Sequence, residues 1–261
     1  LFTTIASFTN STTVVLTSGN ASGGAISGKL VEWGTDDTTA LNSAIAIAYA
    51  AKRNGLIPSN KACLVSRLNL TNMSGFTLAG AGAVNQSWLF AKNDASYGTA
   101  TGHLIDLTGS AFITIRDLQV GAFYALPRPT TGIFLAKVAS GVSNRITLGP
   151  KLYISGQFSD STLYDYGVPS STCINADFYN YAAGAGIHNA MRYTASNQDG
   201  LSSAFATVTS GTLSTSDWSF LNCEWHKFAG AGADGEVIRL DGTTNILFNG
   251  GVVSGGASAY V

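Results

Sequence analysis

The chain has 261 residues, 45% of them hydrophobic and only 11% charged, with a formal net charge of -1; ordinary globular proteins are roughly 25% charged. That apolar content excludes an intrinsically disordered chain, and a neutral balance with no Lys/Arg run speaks against nucleic-acid binding, whose affinity is mostly phosphate neutralisation. No apolar run approaches the roughly 18–20 residues of a membrane span.

Glycine is abundant, with 30 residues, while Glu occurs only at Glu32, Glu224 and Glu236. With Lys also scarce and Ser and Thr plentiful, the composition is that of β-structure. A surface so poor in charge is expected to be buried in part against other chains. Cys63, Cys173 and Cys223 show no metal-ligand spacing and read as three reduced thiols packed as small apolar groups, which suits folding in a cytoplasm. No metal or cofactor is expected. Both ends read as cuts through a longer polypeptide, since no leader opens the chain at Leu1 and β-type sequence runs to Val261.

In chain order, residues 1–33 read as a small β-hairpin element, the fragment of an upstream domain. Phe2–Phe8 and Thr12–Thr17 flank Thr9-Asn10-Ser11, and a third run covers Lys29–Trp33. Residues 34–57 hold a helix. Thr35-Asp36-Asp37-Thr38 supplies its N-cap and two carboxylates for the first turn, Leu41, Ala44, Ile45, Ala48 and Ala51 its buried face, and Asn54-Gly55 its left-handed stop. Adjacent Asp36 and Asp37 point apart at a helix start, so their expected role is structural.

From residue 58 to 261 the chain becomes short β runs with a repeated design, shown by Ile113-Thr114-Ile115-Arg116-Asp117-Leu118-Gln119-Val120 and Trp218-Ser219-Phe220-Leu221-Asn222-Cys223-Glu224-Trp225. Two alternating apolar residues, a tight corner and two more alternating apolar residues wrap a strand around an axis. A hairpin would need a reversing turn. The fold expected is therefore all-β: a right-handed parallel β-helix, probing inward with Ile113, Ile115, Leu118 and Val120, and with Trp218, Phe220, Cys223 and Trp225. At about 22 residues per coil, roughly nine coils would stack about 4.8 Å apart into a rod roughly 40 Å long. A β-sandwich is the alternative fold. The α-helix caps the raw end of the rod.

Gly34-Thr35-Asp36-Asp37-Thr38-Thr39-Ala40-Leu41, the helix, Leu56-Ile57-Pro58 and Gly75-Phe76-Thr77-Leu78-Ala79-Gly80-Ala81-Gly82 together resemble the pectate-lyase-like superfamily, in the branch found in bacteriophage tailspikes and appendages. The resemblance covers residues 34–82 and implies a virion protein, a homotrimer of parallel rods beside other virion proteins, with a host surface polysaccharide as target. The pectin-hydrolase signatures are missing: there is no Asn-Thr-Asp segment and no Arg-x-Lys, and His103 lies in Gly102-His103-Leu104.

Two sets of residues suit glycan chemistry. Glu224 and His226 stand on one face of a strand, with i and i+2 about 7 Å apart, as an acid and base joined by Asp217. Asp160, Tyr164, Asp165, Tyr166, Asp177, Tyr179 and Tyr181 interleave carboxylates with rings that stack on sugars, on what read as the longest loops of the rod. Solvated strand residues and loop or interface packing are the plainer readings of these two sets. Two further functions stay open: a non-catalytic appendage or decoration protein of the virion, and a secreted bacterial polysaccharide lyase or hydrolase.

Overall fold

The computed structural model describes residues 5–10, 13–16, 35–82, 87–99, 102–123, 125, 127–137, 144–168, 170–181, 189–194, 217–227, 237–241 and 246–255. The chain divides into two compact units, Leu1–Gly34 and Thr35–Val261. In the first, β1 (Ile5–Asn10) and β2 (Thr13–Leu16) pair antiparallel as a hairpin. The expected run Lys29–Trp33 lies outside the described residues.

The second unit opens with α1 (Thr38–Ala50), shorter at both ends than the sequence suggests. Neither aspartate lies within the helix. Asp36 accepts from the backbone N–H of Thr38 at 3.0 Å and pairs with Lys92 at 2.8 Å, while Asp37 accepts from the Leu64 N–H at 3.2 Å. They tie the helix start to the first two coils of the rod, through Leu64 and Lys92. The left-handed stop falls on Lys52, at φ 54, and Gly55 instead begins a strand. The buried face is narrow. Ile45 is buried, Leu41, Ala48 and Tyr49 pack partly against the core, and Ala44 and Ala51 are exposed. Asn42 completes the cap by donating to the Arg67 carbonyl and accepting from the Asn69 N–H, each at 2.8 Å.

The Lys92 ion pair and the Thr38 hydroxyl hold the Asp36 carboxyl at about 2, below its ordinary 3.8. Its contribution is complete above the ordinary value and is lost as pH falls through about 2. Changing both Asp36 and Asp37 to Ala is expected to cost about 1–2 kcal/mol in denaturant titration, because half-exposed caps and pairs are worth little more, and to leave any glycan cleavage unchanged.

The remainder winds as a parallel β-helix with three walls. The first coil holds β3 (Gly55–Ile57), β4 (Lys61–Val65) and β5 (Leu68–Asn69). The second holds β6 (Thr77–Gly80), β7 (Ser87–Ala91) and β8 (His103–Asp106). The third holds β9 (Thr114–Arg116), β10 (Leu118–Ala122) and β11 (Thr131–Ala136), and the fourth β12 (Thr147–Leu148), β13 (Leu152–Gly156) and β14 (Ser161–Tyr166). The fifth holds β15 (Thr172–Ile174), β16 (Ala176–Asn180) and β17 (Asn189–Thr194). In the sixth, β18 (Trp218–Lys227) runs unbroken through two walls before β19 (Ile238–Asp241), and β20 (Ile246–Gly255) does the same above it. Each strand pairs in parallel with its counterparts one coil away. The described residues thus make six coils and two walls of a seventh, fewer than the nine expected. Coils begin at Gly55, Thr77, Thr114, Thr147, Thr172, Trp218 and Ile246, so most are lengthened by inserted loops.

Inside, identical wall positions stack into ladders. Leu78, Ile115, Leu148, Cys173, Phe220 and Phe248 climb the first wall. Leu89, Val120, Ile154, Phe178, Trp225 and Val253 climb the second. Leu68, Ile105, Ile133, Leu163, Met191 and Ile238 climb the third. Ile113, Ile115, Leu118 and Val120 are at most 2% exposed, and Trp218, Phe220, Cys223 and Trp225 at most 1%, as the corner pattern predicts. Cys173 and Cys223 lie in this core as free thiols, their sulfurs in hydrogen-bond contact at 3.3 Å.

The corners between the first two walls are left-handed residues: Asp117 at φ 52, Lys151 at φ 55, Asn175 at φ 44 and Asn222 at φ 51. Asn and Asp adopt this region at least cost after glycine. Corner amides bond upward, Asp117 to the Pro150 carbonyl at 3.0 Å and Asn175 to that of Leu221 at 2.9 Å. In β20 the corner is Gly250-Gly251. Gly251 has φ +99, and a Cβ there would sit 1.9 Å from the Cys223 carbonyl oxygen, so no other residue fits.

One carboxyl is enclosed by the rod. Asp165 is fully buried, accepting from the Trp218 indole N–H at 2.6 Å and the Val168 N–H at 2.9 Å. Burial outweighs those donors and pushes it up to about 8. An acid raised on folding stabilises the fold when protonated, so this contribution is complete below its ordinary 3.8 and is lost as pH rises through about 8. The thermal midpoint of the chain should fall across that window, and Asp165→Asn should flatten the fall.

Candidate functional site

Side chains alternate along a strand, so the residues between the second-wall ladder positions face outward. Register places them in two rows up the rod. One row reads Trp88, Gln119, Tyr153, Asp177, Glu224 and Val252; the other reads Phe90, Gly121, Ser155, Tyr179, His226 and Ser254. The two sets of residues read separately from the sequence therefore meet, because β16 and β18 are neighbours: Asp177 is level with Glu224 and Tyr179 with His226.

Glu224 is the hub. One of its oxygens, Oε2, accepts from the Tyr179 hydroxyl at 3.3 Å and meets His226 Nε2 at 3.1 Å. The other imidazole nitrogen, Nδ1, contacts the Ser254 hydroxyl. This fixes the ring from both sides, and the Tyr179 ring lies flat on it with centroids 4.2 Å apart. Tyr153 and Tyr181 flank Tyr179, at 5.1 and 6.0 Å between centroids, and Trp88 stacks on Phe90 at 4.7 Å further down the rod. Glu224 remains 41% exposed at its side chain and His226 22%, so the group is open to a ligand.

Burial and the charge of Glu224 both raise the affinity of Asp177 for its proton, partly opposed by His226. Burial, then the charges of Glu224 and Asp177, raises Tyr179 as well. Tyr153 is pushed up to about 12, chiefly by burial and then by Tyr181. One carboxyl with a raised affinity for its proton thus stands beside another already engaged as an acceptor. That is the asymmetry acid–base chemistry requires.

The other sequence candidates are placed elsewhere. Tyr164 and Tyr166 are 1% exposed and form, with Phe134 and Ala136, a separate buried cluster on the third wall. They offer no ring face to a sugar, and Asp165 is enclosed as described. The stretch that reads as loop is the regular strand β14, buried on both sides. Asp160 is partly buried just before it. Asp217 is exposed at the head of β18, on the first-wall side of the Asn222 corner, whereas Glu224 lies beyond that corner. The chain bends between them, and Asp217 does not join Glu224. Ser254, Trp88 and Phe90 went unnoticed in the sequence; their outward alternation is visible there, but their alignment with Glu224 needs the coil register.

No protein-family model matches the chain, and no curated protein matches it. Two solved structures are similar. One is an alginate lyase from Paenibacillus sp. str. FPU-7, at 14% identity and a TM-score of 0.47, over 79% of this chain and 66% of that one. The other is the tailspike protein gp49 from Acinetobacter baumannii bacteriophage Fri1, a capsular polysaccharide depolymerase, at 13% identity and a TM-score of 0.46, over 78% of this chain and 39% of that one. The chain spans less than two thirds of the length of either.

Proposed function

We propose that the outward face of the second wall binds a host surface polysaccharide and cleaves its glycosidic bonds. The observation that carries this reading is the pairing of Asp177, whose affinity for its proton is raised by burial and by Glu224, with Glu224 itself, which His226 and Tyr179 meet as an acceptor. Asp177 gives its proton to the glycosidic oxygen as the bond to the anomeric carbon breaks. Glu224 takes a proton from the water whose oxygen joins that carbon. The rings of Tyr153, Tyr179 and Tyr181 lie alongside, where the apolar faces of flanking sugars stack. Incubation with bacterial capsule or lipopolysaccharide should release new reducing ends. Intact polymer after prolonged incubation would leave a binding or structural part for the rod.

The rod is further read as a segment of a phage tailspike or tail fibre, assembled as a homotrimer and displayed on the virion beside other virion proteins. The low charge of the chain supports this, as do the exposed apolar side chains of Ile47, Leu56, Phe112 and Leu247, each at least 47% exposed. Light scattering should return three times the chain mass; a stable monomer at micromolar concentration would count against the trimer.

A further inference from the structure

The charge of the proposed site has one sign. Its two rows carry Asp177 and Glu224 and neither Lys nor Arg. The chain has only 14 Lys and Arg side chains, and, apart from exposed Lys151, those nearest in sequence are buried, paired or on another wall. Lys227 follows His226 but is 3% exposed. Lys151 precedes Tyr153 by two residues but occupies a corner at φ 55, and the charges that act on Asp177 are those of Glu224 and His226. Lys92, in line with these strands, is held by Asp36, and Arg116 by Asp117. Arg192 and Arg239 belong to β17 and β19 on the third wall.

Three of the connecting stretches contribute no Lys or Arg in sequence, their one basic residue being His188. These are residues 182–188, 195–216 and 228–236, which link the strands that carry the site to their neighbours. Their ionisable carboxylates, Asp199, Asp234 and Glu236, bear the same sign as the site.

We infer that this face takes an uncharged glycan and discriminates against polyuronates; the inference rests on the proposed function of the same face. A polyuronate brings a carboxylate with nearly every sugar. Seating it there would bring its carboxylates against Glu224 and Asp177 on a partly desolvated face whose described rows carry neither Lys nor Arg, with His226 already turned to Glu224. An uncharged chain meets no such repulsion. Its hydroxyls donate to Glu224 and Asp177 and exchange hydrogen bonds with Ser254, and its ring faces stack on Tyr153. The elevated proton affinity of Asp177 fits the same picture, since a bound polyanion would have to add further negative charge to a pair already sharing it.

The test uses a panel of capsular polysaccharides and lipopolysaccharides immobilised on an array, each uronate-containing polymer paired with its own carboxyl-reduced, uncharged form. The intact chain is applied at low and at high salt. The expected result is that uncharged forms bind at least tenfold more tightly than their parents at low salt, with the gap narrowing at high salt as screening takes effect. In the Asp177→Asn/Glu224→Gln double variant the gap should close. A polyuronate bound as tightly as its reduced form, or more tightly, by a face that the double variant disables would overturn the charge inference and leave the proposed site standing. Absence of binding to every polymer, charged or uncharged, would overturn both.

Discussion

Replacing Trp218 with Ala should lower the stability of the rod by about 3–5 kcal/mol, the cost of emptying a fully buried aromatic position. Trp218 is 0% exposed and stacks on Phe220 with centroids 5.1 Å apart. Phe220 in turn stacks on Phe248 at 5.0 Å and meets Trp225 edge-on at 5.4 Å. The truncation therefore opens a cavity at the end of a run of rings. It also removes the indole N–H that Asp165 accepts at 2.6 Å, leaving that enclosed carboxyl with the Val168 amide. Trp218→Phe separates the two effects: it keeps a ring in the stack and loses the donor, and should cost about 1–3 kcal/mol. Urea titration followed by circular dichroism reads both. A Trp218→Ala chain as stable as the parent would mean that the upper lumen is not packed as described.

The second large effect concerns chemistry. Asp177→Asn and Glu224→Gln should each reduce the release of reducing ends by about 100- to 10,000-fold, the usual yield of a positioned acid or base. Neither is expected to unfold the rod, since both side chains face outward. Because burial and Glu224 raise the Asp177 carboxyl above its ordinary value, the alkaline limb of the rate profile should reach higher pH than a solvated Asp, near 3.9, would allow. Glu224→Gln removes the neighbouring charge that helps to raise Asp177, so the residual activity should lose its alkaline limb at lower pH. Full activity in the Asp177→Asn chain would remove Asp177 as the acid. His226→Ala, which frees Glu224 from one partner, should have a smaller effect than either.

The lumen was legible in the sequence because it is a local matter. Ile113, Ile115, Leu118 and Val120 lie within one strand–corner–strand run, and alternation alone sends them inward. So was the Asn222 corner, since few residues other than Asn, Asp and Gly accept that turn cheaply. What joins Asp177 to Glu224 is register between β16 and β18, which are separated by a long excursion through β17. Alternation says which way each points and nothing about which coil lies beside which. Uneven coil lengths hid the same information and inflated the coil count. Tyr164 and Tyr166 were misread for a different reason: an outward position on a strand is normally wet, and here the outer side of the third wall carries a second apolar cluster.

Because each strand hydrogen-bonds only to the coils directly before and after it, the rod is a linear array whose links act in series. The cohesion of such an array is a sum of nearest-neighbour couplings, with no contact that spans several coils to hold it together after a break. A severe lesion at one level, such as a bulky residue at Gly251, would detach what lies beyond it while the helix-capped portion stayed wound. Amide protons in the middle coils should then exchange with solvent more slowly than those in the last described coil, giving a gradient of protection along the axis.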